Sequence, residues 1–181
     1  MPTSHWMQLN EIMGLIMSVR PKSILDVGIG FGKFGVLVRE YLELWDGRNV
    51  YSDFKCRIDG IEIHDEYRTP LHDWVYNNIF YGDALDIVPT LARKYDLSLL
   101  IDVIEHFDKD KGNELLSSLL HRSNAVIVAT PHKPSAQGAA FGNVHETHKS
   151  VWTPKELDSF GESTLIPNGR SVICLIRGKH D

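Results

Sequence analysis

The chain has 181 residues, 43% hydrophobic and 24% charged, enough for one core and too few for two full domains with separate cores. We read 1–181 as a single domain that needs neither disulfides nor metal staples, since folding at this length buries roughly 70% of the unfolded chain's surface. The formal net charge of −5, from 19 Lys and Arg against 24 Asp and Glu, comes with scattered basic residues, so no nucleic-acid partner is expected. Cys56 and Cys174 form no CxxC pair, which argues against a disulfide framework or a zinc ribbon. No apolar run approaches the roughly 20 residues of a membrane-spanning helix, and the first 20 residues lack a basic stretch ahead of an apolar core. A cytoplasmic protein without membrane contact is expected.

Trp6, Leu9, Met13, Ile16 and Met17 recur at helical spacing and predict a leading helix within 1–20, buried along one stripe and closed by Pro21. A β-type run from Ser23 to Gly28 follows, then a glycine-dense turn, then a helix whose apolar face is Phe34, Val36, Leu37, Val38, Tyr41 and Leu42. The alternation continues with a strand at 57–63, a helical stretch near 66–76, a strand around 79–83 and a short helix near 87–94. A strand at 97–103, a helix at 109–122 and a strand at 125–130 complete it. Five apolar strands separated by helices predict a parallel sheet covered on both faces, with the fourth and fifth strands central.

The remainder breaks this rhythm. Residues 131–150 are rich in Gly, Pro and Ala and carry His132, His145 and His148; loops of this length are usually functional or disordered. Thr153-Pro154 opens a short helix. Strands at 163–167 and 171–177 are joined by Asn168-Gly169, which suits a tight hairpin. Segment 46–56 is long for a helix-to-strand connection, and its Tyr51, Phe54 and Lys55 either line a site or pack on the sheet edge. Trp6, Trp45, Trp74 and Trp152 are expected in core or shelf positions, and Lys109-Asp110-Lys111 at a solvated helix start.

The chemistry concentrates first in Asp26-Val27-Gly28-Ile29-Gly30-Phe31-Gly32-Lys33-Phe34-Gly35. Glycines at alternate positions between a strand and a helix let a ligand approach the backbone where a Cβ would clash, beside free helix N–H groups. Gly30, Gly32 and Gly35 also satisfy GxGxxG, the dinucleotide fingerprint, which keeps an NAD-dependent oxidoreductase open. Its acidic partner should lie about 20 residues on, whereas Glu62 lies further along. Asp83 closes the third strand, and Asp26 precedes the first glycine, where a carboxylate would repel a pyrophosphate. Acids in these places suit a ligand carrying positive charge.

Asp26 to Gly32, Ile61-Glu62-Ile63, Gly82-Asp83-Ala84 and Asp102-Val103-Ile104-Glu105-His106-Phe107 together resemble the class I S-adenosylmethionine-dependent methyltransferases over nearly the whole chain. The resemblance implies an α/β, Rossmann-like, doubly wound seven-stranded sheet, mostly parallel with an antiparallel last strand. It also implies S-adenosylmethionine as cofactor and methyl transfer to an oxygen or nitrogen of a small-molecule acceptor. Carried over residue by residue, Gly28, Gly30 and Gly32 cradle the methionyl moiety and Asp26 supports its amino group. Glu62 takes the ribose hydroxyls, Asp83 and the Ala84 N–H take adenine, and Ile63 packs on the base. Asp102 lies near the methionyl end and His106 near the methyl.

Residues 131–152, with Glu146-x-His148-x-Ser150-x-Trp152, are similar to a subset of bacterial and archaeal methyltransferases and form the candidate acceptor lid. His145 or His148 can serve as the base for a hydroxyl acceptor. Metal binding by His132, His145, Glu146 and His148 lacks the fixed geometry a site requires, so no metal is expected. A homo-oligomer can supply further walls, and a cofactor-binding subunit without catalysis is the non-enzyme alternative.

Overall fold

Each of the first four strands is followed by a helix that returns the chain to the starting edge, which is what parallel pairing requires. In the computed structural model, which describes residues 3–44, 50, 52–133 and 136–178, these strands are β1 (Ser23–Val27), β2 (Arg57–Glu62), β3 (Asn78–Tyr81) and β4 (Leu97–Ile101). Helices α2 (Lys33–Val38), α3 (Pro70–Val75), α4 (Ala84–Thr90) and α5 (Lys109–Arg122) follow them in turn, and β5 (Ala125–Pro131) is the last parallel strand. After α6 (Pro154–Asp158) come β6 (Glu162–Ile166) and β7 (Ser171–Arg177), and β7 runs antiparallel to both β5 and β6. The seven-stranded sheet has the order β3-β2-β1-β4-β5-β7-β6, so the expected mostly parallel sheet with a reversed last strand is what the chain forms.

Apolar residues on both faces of the strands build two cores. Ile24, Ile58, Leu97, Leu99 and Ile127 meet Ile12 and Ile16 on one side, while Leu25, Ile61, Leu100 and Val128 meet Leu116, Leu119 and Trp152 on the other. The expected interior positions hold for β4, all of whose residues are buried, and for β5, buried up to its last residue, whereas β3 is an edge strand and half open.

Several local expectations need correction. The leading helix is a short 3-10 turn, Trp6–Gln8, followed by α1 (Leu9–Val19), which ends where Arg20 turns left-handed at φ 49°. Its buried stripe is Ile12, Leu15 and Ile16; Trp6 lies outside the α-helical register and is 72% exposed, and Met17 is 38% exposed. Trp152 is buried and Trp74 packs edge-on to Phe54, as expected; Trp45 and Tyr51 lie outside the described residues.

Helix α2 is short because it widens into a π turn over Arg39–Glu43, and Tyr41 faces outward rather than into the core. The buried Arg39 guanidinium donates to Val75 O at 2.9 Å, to Glu43 Oε1 at 2.7 Å, to Asn77 Oδ1 at 3.0 Å and to the Cys56 carbonyl. A buried cation needs every one of these partners, so the side chain fixes where the helix ends against β2. Phe54 lies under the same guanidinium, 4.3 Å from the ring centroid, and edge-on to Trp74, so this part of the 46–56 connection packs on the π turn and the helix after β2.

The helical stretch expected near 66–76 divides at Pro70 into a 3-10 turn, Asp65–Tyr67, and α3. Helix α4 begins three residues earlier than expected because Asp83 caps it, accepting from Leu85 N at 2.9 Å, and it ends soon after Pro89. The hairpin is also not a two-residue turn. Ile166 pairs with Ile173, and Asn168 organises the loop by accepting from Arg170 N and Ser171 N while donating to Met7 O. Lys109 is not merely solvated: it pairs with Glu156 and sits 4.1 Å over the Trp152 ring.

Candidate functional site

The sheet order reverses direction between β1 and β4, since the chain proceeds outward through β2 and β3 on one side and through β5 on the other. Open α/β sheets bind ligands in the crevice outside the carboxyl ends of the strands at such a point. A cavity of about 260 Å³ opens there, walled by the glycine turn, the ends of β2 and β4, the loop after β3, the N-terminal segment at Thr3 and Ser4, and the loop 143–149. Its lining includes six acids (Asp26, Glu62, Asp83, Asp102, Asp108 and Glu146) against three lysines, a balance that favours a ligand with positive charge.

Gly28, Gly30 and Gly32 all take positive φ, at 72°, 51° and 87°. A Cβ on Gly28 would stand 2.5 Å from Val103 Cγ2, so both conformation and space demand glycine there. The turn is held from below: Gly28 N donates to Ile61 O at 2.8 Å, and Gly30 N donates to Glu62 Oε2 at 2.9 Å. Gly28 and Gly30 line the cavity, whereas Gly32 caps α2 outside its lining. Gly35, the last glycine of the GxGxxG reading, has a different task. A Cβ there would meet Val75 Cγ1 at 2.4 Å and the Tyr76 ring at 2.7 Å, so this glycine lets α2 approach the end of α3.

The acids occupy the strand ends. Asp26, 4% exposed, accepts from Tyr76 Oη at 2.7 Å. Burial pushes its carboxyl up to about 6, opposed by the Tyr76 bond and reinforced by the nearby Glu62 charge. Glu62 accepts from His64 N at 2.9 Å with its second oxygen, and burial raises its carboxyl despite these backbone bonds. Asp102 sits at φ 52° and accepts from Gln8 Nε2; burial raises its carboxyl, and hydrogen bonds from Gln8 and Ser4 oppose the shift. Lys33 donates to Ser4 O at 2.6 Å, and burial lowers its ammonium. Asp83, Ala84 and Ile63 complete the same wall. The sequence reasoning missed Gln8, Thr3, Ser4 and Lys33. Gln8 lies off the apolar stripe read from the sequence, so nothing in the local periodicity signals its burial.

The loop after β5 folds back over the opposite end. Tyr67 Oη donates to Glu146 Oε1 at 3.0 Å, Asn143 Nδ2 donates to Tyr67 Oη at 3.3 Å, and Gln137 Nε2 donates to Glu146 O at 2.8 Å. Lys149 N and Ser150 N donate to the Glu105 carbonyl at 2.8 and 3.1 Å, which ties the loop to the 3-10 turn Ile104–His106. Pro134 and Ser135 of this loop lie outside the described residues.

His106 and His145 line the cavity; His148 does not. The His148 ring lies 5.0 Å, centroid to centroid, from that of His106 and faces a second cavity of about 310 Å³ shared with Glu105. The metal-ligand combination considered from sequence, His132, His145, Glu146 and His148, does not assemble. Among the described residues, the one grouping of three such side chains is Glu105, His106 and His148. Burial raises the Glu105 carboxyl to about 8, reinforced by the charge of Asp102 and opposed by the Thr130 hydrogen bond.

No protein-family model matches the sequence, and the search of curated proteins finds no match. Solved structures do match in fold. The methyltransferase domain of bacterial CtHen1 superposes with a TM-score of 0.62 at 18% identity, over 94% of this chain and 97% of that one. The N-terminal domain of EvdMO1, solved in the presence of SAH and D-fucose, gives 0.67 at 14% identity over 98% and 85%. A SAM-dependent methyltransferase from Archaeoglobus fulgidus gives 0.61 at 18% identity over 86% and 69%. No helix among the described residues is long and apolar enough to cross a membrane.

Proposed function

We propose that this chain, which has the class I methyltransferase fold, is an enzyme that transfers a methyl group from S-adenosylmethionine to an oxygen or nitrogen of a small-molecule acceptor. The observation that carries the reading is the conjunction, at the switch point of the sheet, of a positive-φ glycine turn with carboxylates at the ends of β1, β2 and β4, those of Asp26 and Glu62 buried and that of Asp102 half-buried. The tight approach of Val103 to Gly28 leaves a backbone cradle, and the acid-rich lining suits a sulfonium and an ammonium better than a pyrophosphate.

The cofactor supplies a methyl already activated by a sulfonium leaving group, so the protein's tasks are alignment, water exclusion and proton removal. In this reading the Gly28 and Gly30 backbone and Asp26 hold the methionyl end, with Gly32 setting the turn and Asp102 beside it. Glu62 accepts from the ribose hydroxyls; its two oxygens each accept one backbone N–H and keep further lone pairs. Asp83, Ala84 and Ile63 receive the adenine. His106 stands near the methyl, and His145, exposed on the loop and lining the cavity, takes the proton of a hydroxyl acceptor. His148 stands behind His106 and is set aside as the base.

Calorimetric titration with S-adenosylhomocysteine tests the assignment. Hydrogen bonds to a charged group are worth about 1.5–3 kcal/mol, so Glu62→Ala should weaken binding roughly 10- to 150-fold. Unchanged affinity in a folded variant would remove Glu62 from the site.

A further inference from the structure

We propose that Glu105, His106 and His148 bind one divalent transition-metal cation at the partition between the two cavities. Its open coordination positions would face the acceptor and select a hydroxyl-bearing one. The three ligand atoms lie within 4.8 Å of one another. Metal bonds of 2.0–2.2 Å in a tetrahedral site require a contraction of about an ångström. His148, carried on the loop, can supply it.

Two further observations point to a cation. Glu105 is 2% exposed, and its Oε2 accepts from Thr130 Oγ1 at 3.1 Å, but Oε1 has no hydrogen-bond partner. A buried carboxyl oxygen without a partner is costly, and native proteins retain one where something else satisfies it. His106 is already oriented as a ligand. Its Nδ1 lies 3.2 Å from the Thr147 carbonyl, and donating there leaves the Nε2 lone pair for a metal. The backbone closes the arrangement, because Lys149 N and Ser150 N grip the Glu105 carbonyl and hold the His148 segment against the turn.

Two imidazoles and one carboxylate suit Zn²⁺, Co²⁺ or Fe²⁺ better than Mg²⁺ or Ca²⁺, which favour all-oxygen shells. Three protein ligands leave positions open, the mark of a site that takes a substrate oxygen rather than one that only staples the fold. His106 borders the main cavity, and Glu105 and His148 border the second, so the cation would stand where an acceptor meets the proposed methyl position. The metal site stands on the cluster alone; the hydroxyl preference rests on the methyl-transfer reading.

The test uses the full chain, stripped with a chelator and titrated with Zn²⁺ by calorimetry and with Co²⁺ by visible absorption. We expect one equivalent bound with a dissociation constant on the order of micromolar or below, and ligand-field bands with Co²⁺. Glu105→Gln and His148→Ala should each weaken Zn²⁺ at least about tenfold, while His132→Ala, outside the cluster, should not. Glu105→Gln conserves shape, and its melting temperature verifies folding. Absence of binding, or binding unchanged in both cluster variants, overturns the proposal. S-Adenosylhomocysteine is titrated into the same samples. Its binding without metal binding refutes the metal site alone, whereas metal binding without it upholds the site and refutes the methyl-transfer reading.

Discussion

Between the glycine turn at one end of the cavity and the 131–152 loop at the other, the chain solves two different problems. The turn is backbone: positive-φ glycines held by Ile61 O and Glu62, on strands that are buried along their length. The loop is side chains: Tyr67, Glu146, Gln137 and Asn143 bond one another to shape it, and the histidines project from it. A backbone cradle tolerates variation in everything except its glycines and acids, and it suits a ligand that does not change. A side-chain wall can be altered residue by residue, and it suits the partner that differs from one enzyme to the next. On this account the turn determines binding of the cofactor and the loop determines turnover.

The largest effect that can break this division is at His145. Removing a general base costs about 100-fold or more in rate, so His145→Ala should lower turnover by that much while leaving the affinity for S-adenosylhomocysteine unchanged. A matched loss of affinity would show that the loop also holds the cofactor.

A smaller effect sharpens the other half. The Asp26 carboxyl is raised from 3.8 to about 6, so the folded protein holds a proton that the unfolded chain has released between those pH values. This contribution to stability is fully present below pH 3.8 and is lost as pH rises through about 6. Binding an ammonium has the opposite sign, because it favours the carboxylate. Affinity for S-adenosylhomocysteine should therefore fall about tenfold from pH 7 to pH 5, with proton release on binding near pH 6. Calorimetry in buffers of different ionisation enthalpy measures that release, and Asp26→Asn should abolish it.

The same contrast governs what could be read in the sequence. Strands β1, β4 and β5 were legible because both faces are buried and the apolar runs are nearly unbroken, and the acids were legible because each ends a strand beside the turn. The start of α4 lies earlier than its apolar residues alone indicate because Asp83 caps it, and an Asp before Ala-Leu is the sequence signal for that cap. The π turn after α2 depends on Arg39, whose partners at Val75, Cys56 and Asn77 come from distant elements. Local periodicity carries no trace of them. The Glu105–His106–His148 cluster was hidden for a similar reason: two ligands lie on the turn after β4 and the third on a loop that only tertiary hydrogen bonds bring back to it.

The central claim is that the glycine turn and its acids receive S-adenosylmethionine. Melting temperature measured with S-adenosylmethionine, S-adenosylhomocysteine and NAD in parallel tests it most directly. A ligand at 100 times its dissociation constant adds about 2.7 kcal/mol, or roughly 5–11 °C at this chain length. The account predicts a rise of that size with both sulfur ligands and none with NAD. A rise with NAD alone would contradict it and make the turn a dinucleotide site.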